Sequence, residues 1–359
     1  MKTIHIFIGT KAQFIKVAPI IKELDKRNLP YRLIDSCQHK DITTDLRRLF
    51  DIREPDVYLY TGFNNINTLI KAFLWTARIM GALIIKPNAF KQEVFGNSEK
   101  GLCLIHGDTL STLLGLIIAK RYGFEVGHLE AGLRSFDIVN PFPEELIRII
   151  CMRYADFLFA PSDWAYDNLT HLRKKATVYN IKDNTIFDSI RYILPRSTTP
   201  AEKPHENYVI MSIHRFENIY QRKRLASIVT FAAELSEQFT VIFVAHQPTL
   251  KRLKATSLLH RLKQKKITIA SLAHYDAFLS LLADAQFIIT DGGSIQEESY
   301  YLNKPCLLLR NKTERHYGLG ENVCLSQFNK KILNYFTEHY PSFKRKDTPK
   351  HRSSFKCHN

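Results

Sequence analysis

The stretch Met1-Lys2-Thr3-Ile4-His5-Ile6-Phe7-Ile8-Gly9-Thr10 decides the fold class, because an apolar run of strand length gives way at Gly9 to a helical pattern. Phe14, Ile15, Ala18, Ile21 and Leu24 recur at the spacing of one helix face, and Tyr31–Ile34 is again strand-like. The opening run resembles a short secretion signal. His5 interrupts it, however, and it passes directly into the strand-to-helix pattern, so it reads as a buried first strand. Such βαβ alternation implies a parallel sheet covered on both faces.

The alternation continues outward. Leu102–Ile105, Glu125–Leu129 and Phe157–Ala160 read as strands, with a helix through Leu114, Leu116 and Ala119 between the first two. Pro195–Pro204, rich in proline and small polar residues, reads as an interdomain connection. The pattern restarts with Tyr208–Ile213, a helix around Leu225–Phe239 and strands at Val241–Ala245 and Ile267–Ile269. A helix at Ala277–Ala285 and strands at Phe287–Thr290 and Cys306–Leu309 complete it. Two αβα halves account for the 359 residues. Ligands of open parallel sheets bind beyond the carboxyl ends of the strands, so a cleft between the halves is expected and the residues just after each strand are the first candidates.

Composition narrows the class. With 45% hydrophobic and 24% charged residues, neither disorder nor a fibrous architecture is credible. No apolar run reaches the ~18–20 residues of a membrane-spanning helix, so no membrane insertion is expected. Cys37, Cys103, Cys151, Cys306, Cys324 and Cys357 are scattered without metal-ligand spacing and read as reduced core thiols in a cytoplasmic protein, with no metal site. Lys and Arg number 51 against 35 Asp and Glu, a net charge of +16 that calls for an anionic partner. Within Ser342–Asn359, six basic residues against Asp347 contribute +5 of it. A solvated end, not a nucleic-acid arm, is the expectation there.

Several strand ends carry chemistry. Gly9-Thr10-Lys11 offers backbone N–H groups and a cation to an anion, or is simply a tight turn. Lys16, on the following helix, reads by itself as a surface lysine lying along apolar neighbours. His106-Gly107-Asp108-Thr109 ends a strand, and Asp108 taken alone could merely cap the next helix. The next strand ends at Glu130, and Pro141-Phe142-Pro143-Glu144-Glu145 follows, so acidic groups can converge on one rim. Mutual repulsion and partial burial there would raise at least one pKa into the range of proton transfer. In the second half, His214 and Arg215 follow a strand, a pair suited to a diphosphate leaving group, and His246 repeats the strand-end histidine. Thr290-Asp291-Gly292-Gly293-Ser294 opens a helix with free N–H groups and a hydroxyl, and Glu298 follows within it. An ordinary strand-turn-helix is the bland alternative. No Walker lysine and no GxGxxG occurs, which argues against an ATPase or an NAD enzyme.

Taken together these segments resemble the UDP-N-acetylglucosamine 2-epimerase family, from residue 1 to about residue 328. The residues that carry the resemblance are Gly-Thr-x-x-x-x-Ile-Lys-x-x-Pro at 9–19, Gln38-His39, His-Gly-Asp-Thr at 106–109 and Gly-His-Leu-Glu-Ala-Gly-Leu-Arg at 127–134. Pro-Phe-Pro-Glu-Glu at 141–145, Asp-x-Gly-x-Ile-Gln-Glu-Glu at 291–298 and Thr-Glu-Arg at 313–315 complete them. The resemblance implies an α/β fold of GT-B architecture, two Rossmann-like αβα domains with the active site in the cleft between them. The expected division is 1–183, a connection at 184–206, a UDP-binding domain at 207–335 and a basic tail at 336–359. It implies that Lys16, Asp108, Glu130, Glu144 and His214 line the reaction centre. Phe278 is then expected against uracil, Glu298 on ribose, and Lys11, Gly293, Ser294 and Arg315 around the diphosphate. Gln38, His39 and Arg215 match a second, activating UDP-GlcNAc site.

The activity so implied is interconversion of UDP-GlcNAc and UDP-ManNAc by loss and re-addition of UDP, without a cofactor, feeding a surface polysaccharide. The Glu-Ala-Gly-Leu-Arg and Pro-Phe-Pro-Glu-Glu segments resemble the non-hydrolysing branch. The hydrolysing enzyme, a GT-B glycosyltransferase and a non-catalytic nucleotide-sugar-binding protein are the alternatives. The expected partners are a UDP-sugar substrate, a UDP-GlcNAc activator and a second copy in a homodimer, with no nucleic acid. The chain departs from the family pattern at three places. The usual Gly-Thr-Arg-Pro-Glu is Gly9-Thr10-Lys11-Ala12-Gln13, the usual Asp-Ser-Gly-Gly is Asp291-Gly292-Gly293-Ser294, and His316 replaces the proline after Thr-Glu-Arg. The closing helix of the fold has no evident equivalent after Tyr340, so the end reads as divergent or truncated.

Overall fold

The computed structural model describes residues 3–63, 65–66, 68–138, 143–197, 207–265, 267–271 and 274–345. Pro141 and Phe142, the last part of the connection (198–206) and the tail from residue 346, with Cys357, therefore lie outside the described residues. The chain forms two compact units that part at Tyr192 and Ile193.

In the first unit strands and helices alternate: β1 (Thr3–Ile8), α1 (Lys11–Lys26), β2 (Tyr31–Asp35), α2 (Lys40–Leu49), β3 (Val57–Tyr58), α3 (Leu69–Ile85) and α4 (Pro87–Phe95). Then come β4 (Gly101–His106), α5 (Leu110–Arg121), β5 (Glu125–Leu129), α6 (Glu144–Tyr154), β6 (Phe157–Ala160), α7 (Asp163–Asp167), β7 (Thr177–Asn180) and α8 (Ile186–Ile193). Its seven strands are parallel, in the order β3-β2-β1-β4-β5-β6-β7. Phe7, Ile105, Val126, Leu158 and Trp75 are among its fully buried apolar residues. The expectation that the opening run is a strand is met, with Ile6, Phe7 and Ile8 at 0–1% exposure.

The second unit contains β8 (Tyr208–Ile213), α9 (Phe216–Ile219), α10 (Arg222–Leu235), β9 (Thr240–Ala245), α11 (Gln247–Ala255), α12 (Leu258–Lys263) and β10 (Ile267–Ser271). It continues with α13 (Tyr275–Asp284), β11 (Ile288–Thr290), α14 (Gly293–Tyr301), β12 (Cys306–Leu308), β13 (Val323–Leu325) and α15 (Lys330–His339). Its six strands are also parallel, ordered β10-β9-β8-β11-β12-β13. Among the described residues no helix is long and apolar enough to cross a membrane, and the five described cysteines are free.

Both sheets reverse direction of growth once. From β1 the chain builds outward through β2 and β3, then returns to place β4 on the other side of β1; from β8 it builds to β10 and returns with β11 on the other side of β8. At such a reversal the adjacent strand-end loops diverge to opposite faces and leave a crevice, where ligands of this architecture bind. The loops there are Gly9–Thr10 and Gly107–Thr109 in the first unit, and His214–Arg215 and Asp291–Gly292 in the second. The sequence motifs thus fall on the two topological switch points.

The packed structure passes through residue 336 without a break. Phe336 on α15 is fully buried, and Tyr340 and Phe343 pack against Phe287 and Phe336 respectively. Arg345 stacks on Tyr300 with its guanidinium carbon 4.1 Å from the ring centre and pairs with Glu321 at 2.6 Å. Apolar contacts from α15 therefore hold the start of the basic end against the second core.

Candidate functional site

In the first unit the rim begins with α1. Thr10 caps the helix by accepting from the Gln13 N–H, and the Gln13 side chain accepts the Thr10 N–H in return. The same amide donates from Nε2 to the His106 carbonyl at 2.8 Å and to Thr112 Oγ1 at 2.9 Å, tying the end of β1 to the end of β4. One turn on, Lys16 is 1% exposed and its ammonium pairs with Glu130 Oε1. It is not the surface lysine that its local sequence suggests, because α1 is buried at Phe14, Ile15, Val17 and Ala18 as well.

Glu130 follows β5 with φ at +65°, a left-handed conformation that costs a side-chain-bearing residue about 1 kcal/mol. Its carboxylate is locked there by Lys16 and by Asn184 Nδ2 at 2.6 Å, with His106 Nε2 at 4.0 Å. Strain held by buried bonds at a strand end is characteristic of a functional position.

Asp108 follows β4 through Gly107, whose φ is +73°. The cap of α5 is Thr109, which forms a reciprocal box with Thr112, so Asp108 is left to pair with Arg148 of α6. Arg148 is 1% exposed and also reaches Glu145 Oε2 at 3.3 Å. Glu145 in turn accepts from Arg134 Nε and from the Ser135 N–H. The expected mutual repulsion of the rim carboxylates is thus relieved by three cations, Lys16, Arg148 and Arg134. Glu144, half-buried, opens α6 beside this network. His128, fully buried in β5, lies 2.7 Å through Nε2 from the Gly107 carbonyl, which only accepts, so Nε2 carries the proton. Burial lowers its pKa to about 4 and keeps the ring neutral.

Two of the three candidate activator residues, Gln38 and His39, lie against the same loops, and Arg215 belongs to the second unit. Gln38 Oε1 accepts the Ser111 N–H at 3.3 Å, and the His39 N–H donates to the Gly9 carbonyl at 2.7 Å. Burial, and then the nearby charge of Lys11, lower the His39 pKa.

In the second unit the centre is Asp291, which sequence reasoning quoted but gave no role. Its fully buried carboxylate accepts the N–H groups of His214 (3.0 and 3.2 Å) and Arg215 (3.0 Å), and Asn218 Nδ2 at 2.8 Å. His214 Nδ1 lies 3.4 Å from Oδ1 of the same carboxylate. Burial lowers the His214 pKa; the Asp291 charge opposes that and Arg215 reinforces it. The His214 ring also packs on His246, centroids 4.5 Å apart, and against Gly292, where an added Cβ would meet its Cε1 at 2.7 Å.

Gly293 opens α14, and a Cβ there would meet Arg315 Nε at 2.6 Å, so the guanidinium lies directly over the helix N-terminus. Arg315 pairs with Glu297 at 2.5 Å, while Glu314 holds Arg310 at 2.9 Å and Arg215 at 3.5 Å. Three guanidinium groups thus gather at the N-terminus of α14, each held by a carboxylate: Arg315 by Glu297, and Arg310 and Arg215 by Glu314. Ser294 stands in the first turn. Glu298 is 3% exposed and accepts the Tyr275 hydroxyl at 2.9 Å. Burial, and then the Glu298 charge, push the Tyr275 hydroxyl pKa far up. Phe278, on α13, is buried at 3% exposure.

The first unit therefore brings together Lys16, Asp108 and Glu130, with Glu144 at the head of α6, and the second brings together His214, Arg215, Gly293 and Arg315. Arg148, Asn184, Tyr275 and Asp291 are the partners that sequence reasoning missed. Only Asp291 carried a signal, as an acid directly after a strand.

A family model described as UDP-N-acetylglucosamine 2-epimerase matches residues 22–355. It begins after the motif at 9–19 and runs past residue 328, where the resemblance read from the sequence stops. The UDP-N-acetylglucosamine 2-epimerase of Methanocaldococcus jannaschii is 30% identical over 347 residues, covering 92% of this chain and 90% of the relative. A crystal structure of the M. jannaschii enzyme in complex with UDP-GlcNAc and UDP superimposes with a TM-score of 0.78 at 29% identity, covering 98% of this chain and 96% of that one. The Neisseria meningitidis UDP-GlcNAc 2-epimerase bound to UDP-GlcNAc gives a TM-score of 0.80 at 26% identity, covering 97% and 95%. The expected fold class, two Rossmann-like units of GT-B type, is met in these matches. With a family model spanning residues 22–355 and a relative of this identity over nine-tenths of its length, the chain belongs to the UDP-N-acetylglucosamine 2-epimerase family.

Proposed function

We propose that the protein interconverts UDP-GlcNAc and UDP-ManNAc as a non-hydrolysing epimerase. The observation that carries this reading is the pair of carboxylates at adjacent strand ends, Asp108 and Glu130, each salt-bridged to its own buried cation, Arg148 and Lys16. The hydrogen on sugar carbon-2 is hardly acidic, so its removal is coupled to departure of UDP from carbon-1, leaving an unsaturated sugar. UDP then re-adds as a proton arrives on the opposite face. Inversion needs one proton carrier per face, and two separately held carboxylates supply them, with Glu144 as the third acidic candidate. His214, Arg215, Arg315 and the N–H groups at Gly293 and Ser294 take the charge that develops on the departing diphosphate. Glu298 takes ribose hydroxyls, Lys11 adds a cation for the diphosphate, and Gln38, His39 and Arg215 serve a UDP-GlcNAc activator.

Incubation with UDP-GlcNAc in deuterated water should place deuterium on carbon-2 of both UDP-sugars. Absence of label and of any ManNAc product would sink the reading, and free ManNAc accumulating with UDP would assign the hydrolysing reaction instead. Asp108→Asn should lower kcat by at least about 100-fold while UDP affinity is kept; unchanged turnover removes Asp108 from the mechanism.

The five free cysteines among the described residues, four of them buried, support a reducing, cytoplasmic setting, and the product suits a surface polysaccharide. A homodimer is supported by the stripe of Ile70, Phe73, Leu74, Ile84 and Ile85 on α3, each 47–76% exposed. Light scattering should give twice the chain mass, and Phe73→Glu should return it to one.

A further inference from the structure

Diphosphate binding does not use most of the chain's charge. Between Gln238 and Tyr275 the sequence has no Asp or Glu in 38 residues but seven Lys and Arg. Widened to Tyr220–Tyr275, the count is ten basic residues against Glu234 and Glu237, half of the chain's net +16.

The fold collects these residues on one outer surface. Helices α10 and α11 both pack on α12. Thr249, Leu253, Leu258 and Leu262 turn inward and are buried, and this forces Lys251, Lys254, Arg261 and Lys263 outward into solvent. Arg222 and Lys223 add two exposed charges at the start of α10. The acidic residues nearby reach little of it, Glu237 meeting Lys265 at 3.3 Å.

We propose that the exposed face of α11 and α12, extended by the first turn of α10, is a docking surface for an anionic lipid bilayer. Charge complementarity selects a polyanion, and three features favour lipid headgroups over nucleic acid. No Phe, Tyr or Trp occurs from 244 to 274, so the face offers no platform for base stacking. Four exposed lysines, Lys223, Lys251, Lys254 and Lys263, outnumber the exposed Arg222 and Arg261, and Arg252 is turned over the Tyr220 ring, so most of the outward charges are compact point charges and not guanidinium forks aimed at single phosphates. The face is built on helix exteriors, a surface that suits a plane of charge. With no large apolar side chain exposed on α11 or α12, attachment is electrostatic, shallow and reversible by salt. The surface is independent of the catalytic reading, because none of its residues belongs to either switch-point cluster.

Each basic residue brought to an anionic membrane surface strengthens binding by about fivefold. The test is co-sedimentation of the full chain with phosphatidylcholine vesicles, with and without phosphatidylglycerol, against duplex DNA and single-stranded RNA at the same salt. Binding only to the anionic vesicles, reversed by salt, is expected. The variant combining Lys251→Gln, Lys254→Gln and Lys263→Gln should weaken it about 100-fold and leave UDP-GlcNAc turnover unchanged. No vesicle binding, tighter binding to either nucleic acid, or an equal loss on changing Lys344, Lys350 and Lys356 to Gln instead would each overturn the proposal.

Discussion

Changing Asp291 to Asn should separate positioning from chemistry in the second unit. The buried carboxylate receives the N–H groups of His214 and Arg215 and the Asn218 amide, all within 3.2 Å. An asparagine presents one oxygen and one NH2, so in either orientation at least one donor faces another donor. A hydrogen bond to a charged group contributes about 1.5–3 kcal/mol, and losing one or two places the destabilisation at roughly 3 kcal/mol. Urea unfolding should show it as a lower midpoint at unchanged m. The kinetic consequence follows from the same bonds. The loop that aims the His214 ring loses its anchor, and a misplacement of about 1 Å costs on the order of 100-fold in kcat, while KM moves little. The pH profile supplies a readout that a structural role alone would not move. Burial already depresses the His214 pKa, and the Asp291 charge resists that depression. Removing the charge lowers it further, so the limb of the activity profile that requires a neutral His214 should move to lower pH. Wild-type stability, kinetics and pH profile in the variant would refute this account of the loop.

Asp35 is buried at the end of β2, and burial raises its pKa to about 6. A raised carboxyl costs stability above its folded pKa, about 3 kcal/mol for this shift, and the cost disappears as pH falls toward the ordinary value near 4. Asp35→Asn can keep both bonds, accepting from the Cys37 N–H and donating to Thr43, so it should raise stability at pH 7 and add nothing at pH 4. A neutral or negative effect at pH 7 by urea unfolding would contradict it. Gln13→Glu replaces a doubly donating NH2 with a carboxylate facing two acceptors, the His106 carbonyl and Thr112 Oγ1. It should cost about 3 kcal/mol at pH 7 and less when the new acid is protonated at pH 4 to 5, which paired unfolding curves would reveal. Gly292→Ala has an ordinary backbone conformation to occupy, φ −86°, but its Cβ would push the His214 ring from 2.7 Å toward the ordinary 3.4 Å contact. Folding should be near wild type and kcat at least tenfold lower; full activity would show that the ring position is not critical.

The strands buried on both faces were the legible part of the fold. Phe157–Ala160 and Tyr208–Ile213 have the predicted bounds because an inner parallel strand reads as a nearly unbroken apolar run; Glu125–Leu129 also has them, although Glu125 and His128 interrupt its run. The strands that escaped notice lie at sheet edges: β7 alternates between exposed and half-buried residues, and β3 and β13 are only two and three residues long. Helix α3 escaped notice because apolar residues surround it and blur the period. In the site, the strand-end acids and histidines were readable from position alone. Their partners were not, since Lys16 finds Glu130 across 114 residues and Asn218 finds Asp291 across 73. Burial of Lys16 and the neutral state of His128 are properties of those long-range meetings.

The departures from the family pattern become coherent at this level. Where the family has a glutamate, Gln13 uses its extra donors to bind the end of β4, so the lost charge is exchanged for a fixed distance between the two loops at the first switch point. Where the family has a serine after the aspartate, Gly292 leaves room for an imidazole that packs against bare backbone while Asp291 holds its loop from below. The hydroxyl missing at 292 reappears at Ser294, inside the first turn of α14, where helix N–H groups and Arg315 already favour an anion. Each change alters how a loop is held while keeping the strand-end carboxylates, the histidine and the arginines that the loops present. That pattern is what retained chemistry with redistributed support requires, and a binding protein that had lost its catalytic role would have no reason to keep Glu130 in a strained left-handed conformation with a buried lysine upon it.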